Sequence, residues 1–89
     1  MSTSQKHQDF ISEAMKDKPI SAIAGIGPTY EKRFEEISFT KAYHLLGQFL
    51  LLDKNEELFV DFLKDKVGMN SRYSKVAYDC LNEWATFNI

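Results

Sequence analysis

Eighty-nine residues make one small domain, whose core is marginal in size but feasible without covalent staples. A chain that is 44% hydrophobic and holds a single cysteine, Cys80, excludes disorder along its whole length and an internal disulfide, and fits a reducing compartment. A net charge of −2 and a pI near 5.6 argue against nucleic-acid binding driven by bulk charge alone.

Helical periodicity dominates, and no stretch sustains the alternation of a strand. The opening MSTSQKHQDF has no apolar run behind a basic stretch, so it does not read as a secretory signal. The first helix is expected over about residues 3–15, capped by Ser2 with Gln5 and carrying an apolar stripe of Phe10, Ile11, Ala14 and Met15. Residues 16–19 form a loop, because the residue before Pro19 avoids the helical region. A short helical turn at 20–23 leads into Gly25-Ile26-Gly27. Pro28 then opens a helix to about residue 36 or 37. Residues 41–52 form a fourth helix that is more apolar than one buried stripe requires, which predicts packing on two sides. Its run at 49–52 is too short to span a membrane. Residues 55–67 form a fifth, with Leu58, Phe59, Phe62 and Leu63 on one face and Gly68 as a C-terminal stop. Asn70 or Ser71 caps the last helix, whose stripe is Tyr73, Val76, Ala77, Cys80, Leu81, Trp84 and Phe87. The expected fold is all-α: a compact bundle of about five helices plus a short helical turn, a single domain over 1–89.

The segment from Ile20 to Tyr30 carries the chemistry. Two glycines flanking Ile26 let the chain turn sharply and expose backbone amides, while Ile26 plugs the turn into the core. The amides of Gly25, Gly27, Thr29 and Tyr30 then converge on one point, where the helix dipole favours a phosphate. This is the logic of a helix-hairpin-helix motif, placed at about 20–36. Backbone donors hold a phosphate, so binding ignores base sequence. A bare Gly-x-Gly is equally a tight helix–helix turn with nothing bound. No third glycine or preceding strand makes it a dinucleotide fingerprint. Lys6, Lys32, Arg33 and Arg72 could follow a phosphate track past the hairpin. The excess negative charge lies elsewhere, within residues 53–66. On this reading Gly25→Glu abolishes DNA binding and leaves the helices intact.

Gly47 sits inside the over-apolar fourth helix, where glycine costs about 1 kcal/mol against alanine. Close approach of a second copy explains it, as does packing within one subunit; a two-fold dimer is the commonest assembly. Enzyme readings fare worse. His7, His44 and Cys80 lack metal-ligand spacing, Cys80 lies in an apolar stripe, and the chain has little room to hold a flipped base. No cofactor is expected.

With MSTSQKH, AGIG, KAYHLLGQFLLL and LNEWATF in place, the chain resembles the barrier-to-autointegration factor family over its whole length. The resemblance implies a non-enzymatic helical homodimer that binds and bridges duplex DNA without sequence preference. It also implies docking of LEM-domain proteins of the inner nuclear membrane, contacts with lamins and histones, and residence at chromatin and the nuclear envelope with some cytoplasmic protein. Carried over by position, the DNA surface is Gln5, Lys6, Gly25, Gly27, Thr29, Tyr30, Arg33, Ser71 and Arg72. The dimer region holds Gly47, Leu50, Leu51 and Phe62, and Thr3 and Ser4 match phosphorylation sites. Four positions depart from the family: Gln8 stands for arginine, Asp53 for lysine, Ala14 for proline and Phe62 for tryptophan. Lost charge at 8 and 53 supports an alternative, a protein-interaction adaptor with weak DNA binding that works through LEM-domain or lamin partners.

Overall fold

Residues 4–89 are described by the computed structural model. Among them the order is α1 (Gln5–Ile11), a 3-10 turn (Ile20–Ala22), α2 (Pro28–Glu36), α3 (Ala42–Leu51), α4 (Glu56–Val67) and α5 (Ser71–Asn88). The fold is all-α, with principal extents of 28 × 25 × 24 Å. The expected Ser2 cap and Thr3 lie outside the described residues.

Local chemistry sets most boundaries. Asn55 and Asn70 cap α4 and α5, each side-chain oxygen accepting the amide three residues on, from Leu58 and Tyr73. Gly68 ends α4 in the left-handed region at φ +66°, and its amide bonds back into the helix. Pro28 stands in the first turn of α2, just after the cap residue Gly27. At α3, His44 Nδ1 accepts the amides of Thr40 and Lys41, which makes this histidine a structural cap.

The first helix is shorter than its periodicity suggests. Ser4 is the cap, accepting the His7 amide, while the Gln5 amide side chain is committed to Asp9. The helix stops at Ile11 because Ser12 Oγ donates back to the Asp9 carbonyl, an alternative to continuing the ladder. Residues 12–15 leave as a loop, so Ala14 is exposed while Met15 still reaches the core.

Phe10, Phe34, Phe49 and Phe59 fill the centre, joined by Ile20, Ile23, Ile26, Leu45, Leu63 and Leu81. Helix α5 is the spine, packing on α1 and α4; the 3-10 turn sits against α2 and α3. Two seams fix α1 to the spine. His7 is buried and its Nε2 lies 2.7 Å from Glu83, and the Trp84 indole donates to the Glu13 carbonyl at 2.9 Å. An isolated antiparallel bridge joins Pro19 to Lys41, so the hairpin is closed at its base.

The stripes read from periodicity on α4 and α5 are only partly buried. Leu58 of α4 and Phe87 of α5 are exposed, and Tyr73 is 46% exposed. Val67, Ser74 and Ala85 lie inside instead.

Candidate nucleic-acid interface

The 3-10 turn, the Gly25–Gly27 loop and the start of α2 form a tight hairpin. Ile23, Ala24 and Ile26 are buried beneath it. Ile26 donates its amide to the Ile23 carbonyl and thereby closes the turn. Thr29 and Tyr30 lie in the first turn of α2, where amides have no partner within the helix, and among the described residues neither amide finds an acceptor. The Gly25 and Gly27 amides are likewise without one.

These groups line an open cleft of about 350 Å³ with Lys6, Ile26, Pro28 and Tyr73. Lys6, from α1, donates to the Ile26 carbonyl at 2.6 Å. Its ammonium is partly buried there. Desolvation lowers its pKa from the usual lysine value, opposed by Cys80 and Glu31. The cleft thus gathers five expected residues: Lys6, Gly25, Gly27, Thr29 and Tyr30.

The two glycines differ. Gly25 has φ +91°, and an added Cβ would lie 2.7 Å from the Tyr73 carbonyl oxygen and 3.2 Å from the Ala77 nitrogen. It lets the hairpin press against the backbone of α5. Gly25→Glu therefore damages the fold, and the expectation of an intact fold is corrected on this contact. Among the described residues a Cβ on Gly27 meets nothing within 4 Å, so this position faces open space there.

The other expected residues stand around this centre. Arg33 donates to the Val67 carbonyl at 3.1 Å and lies over the Tyr30 ring at 5.5 Å, so it ties α2 to the end of α4. Ser71 and Arg72 are exposed in the first turn of α5. That turn meets the hairpin through the Asn70 amide, which donates to the Tyr30 hydroxyl at 3.4 Å. Gln5 is exposed on α1. Tyr73 lies on the cleft, its ring edge-on to Tyr30 at 6.2 Å. Its place in a helical stripe hid that position; the signal available in the sequence was its nearness to the α5 cap.

A second surface lies on α3. Ala42, Leu45 and Phe49 are buried, while Tyr43, Gly47, Leu50 and Leu51 share the opposite, exposed face. Among the described residues a Cβ on Gly47 meets nothing within 4 Å, so packing against them does not explain this glycine. Phe62 is half-buried against Phe39 at a centroid distance of 5.9 Å.

Cys80 is buried, and burial pushes its thiol up to about 11. Among the described residues no three His, Cys, Asp or Glu side chains gather as metal ligands, and no helix is long and apolar enough to cross a membrane.

A family model described as barrier to autointegration factor matches residues 1–88. The chain belongs to that family. It is 52% identical over 85 residues to barrier-to-autointegration factor 1 of Caenorhabditis elegans, covering 96% of each chain. It is 51% identical over 84 residues to barrier-to-autointegration factor of Homo sapiens, covering 94% of each. The match to the Danio rerio protein of that name is 54% over 83 residues, 93% of this chain and 92% of the other.

Proposed function

We propose that this chain binds double-stranded DNA without sequence preference and, as a homodimer, bridges separate duplexes, with no catalytic step. The carrying observation is the cleft at the hairpin, whose lining Lys6 shares with Gly27, Thr29 and Tyr30, residues whose amides have no partner among the described residues. A phosphate fits such a nest through hydrogen bonds and the α2 dipole, neither of which reads a base. The site is a helix-hairpin-helix within a single domain, flanked by Gln5, Arg33, Ser71 and Arg72. The exposed α3 face with Gly47, Leu50 and Leu51, extended by Phe62, supports the dimer contact.

In the cell this bridging links chromatin to the nuclear envelope through LEM-domain proteins and lamins, with histones as further partners and a cytoplasmic share. Phosphate on Thr3 or Ser4, three and two residues before Lys6 in the sequence, adds negative charge and releases DNA by repulsion.

The test is a salt titration on two unrelated duplexes. Equal affinities that fall steeply with salt support the reading, and Lys6→Ala lowers the log–log slope by about one. Absence of binding at low salt refutes it. An adaptor with little DNA affinity is the second reading, favoured by the exposed acids Asp53, Glu56, Glu57 and Asp61. Tight duplex binding at physiological salt excludes it.

A further inference from the structure

We propose that Tyr73 is a nucleic-acid contact in its own right, its phenol hydroxyl donating to a phosphate next to the one held by the hairpin amides. The inference deepens the duplex-binding reading above and rests on it.

Tyr73 begins the apolar series of α5, and a core role would bury it. Instead it is 46% exposed. Its backbone is held on both sides: the amide donates to Asn70 Oδ1 at 2.9 Å, and its carbonyl oxygen abuts Gly25. The ring stands edge-on to Tyr30, which Arg33 covers in turn. The two tyrosine hydroxyls then differ. That of Tyr30 accepts the Asn70 amide, whereas that of Tyr73 has no hydrogen-bond partner among the described residues. A fixed ring with a free polar tip beside a cleft of unpartnered amides suits a surface that is apolar at one end and wet at the other. Tyrosine hydroxyls are among the donors that position proteins on duplex backbones. Tyr73 is the side chain that α5 adds to the cleft lined by Thr29 and Tyr30, within reach of a backbone held at their amides.

A neutral donor releases no extra counterion on binding, so its removal has a distinct signature. In the full chain, Tyr73→Phe weakens binding to a fluorescently labelled duplex about tenfold or more, the value of one hydrogen bond from a neutral donor to a charged acceptor. The salt slope and the melting temperature stay those of the parent. Lys6→Ala, run beside it, lowers the slope by about one. If the parent binds and Tyr73→Phe binds equally well, the proposal is overturned, including the case where only Tyr73→Ala is weakened, since the ring and not the hydroxyl then matters. If the parent itself shows no salt-dependent binding, the duplex reading falls first, a result visible without any Tyr73 variant.

Discussion

At residue scale, a methyl group on Gly25 would crowd the main chain of α5 in a backbone region that alanine resists, while one on Gly27 would enter empty space. Gly25→Ala is expected to cost about 2–4 kcal/mol by thermal melting, combining overpacking with a strained φ. Gly27→Ala is expected to leave stability within about 0.5 kcal/mol and to weaken duplex binding, because its φ of −96° suits alanine and its new methyl stands where the phosphate would sit. Equal loss of stability in both variants contradicts this division. Cys80 offers a pH test. Its ordinary thiol pKa of 9.0 rises to about 11 on burial, so the folded state favours the protonated form. The resulting stability is complete below pH 9 and is lost as pH rises through 11. Melting curves across that window are expected to fall more steeply for the parent than for Cys80→Ala. At neutral pH the native thiol reacts slowly with disulfide reagents, and quickly only after denaturation.

At the scale of elements, the caps define what each helix holds in place. Asn70→Ala is expected to cost about 1 kcal/mol and to loosen the first turn of α5, which carries Ser71, Arg72 and Tyr73. Circular dichroism melts measure the first effect, and a duplex affinity loss beyond that of Asn55→Ala measures the second, since Asn55 caps a helix away from the cleft. These boundaries were legible because each rests on one or two neighbouring residues: Asn55, Asn70, Gly68, Pro28. The end of α1 was not, because Ser12 can either continue a helix or bond back to Asp9, and periodicity through Met15 favours the wrong choice. The hairpin was legible from Gly25, Ile26 and Gly27. Its supports were not. Lys6 reaches Ile26 and Arg33 reaches Val67 across 20 and 34 residues of sequence, and such pairings exist only once the core has assembled. Stripe membership failed at Leu58, Tyr73 and Phe87 for a related reason. A helical repeat gives the direction of a side chain, whereas burial also needs a neighbour to cover it.

For the whole molecule, the two proposed surfaces make separable predictions. Leu51 is 76% exposed on the α3 face, so Leu51→Glu is expected to halve the mass in light scattering and abolish bridging of two duplexes, while each subunit still binds one duplex weakly. A dimer that survives this change places the interface elsewhere. The acidic residues of α4 lie apart from the hairpin in sequence and face solvent, which reconciles a net charge of −2 with a phosphate site. The seam between α5 and the loop after α1 has an optical consequence. Trp84 is the single tryptophan, largely buried, with its indole donating to Glu13. Its emission therefore reports on that seam without a label. A red shift at constant helicity marks release of the N-terminal segment that carries Lys6, so a dye-free spectrum can follow the opening of the proposed DNA-facing edge while the rest of the bundle stays folded.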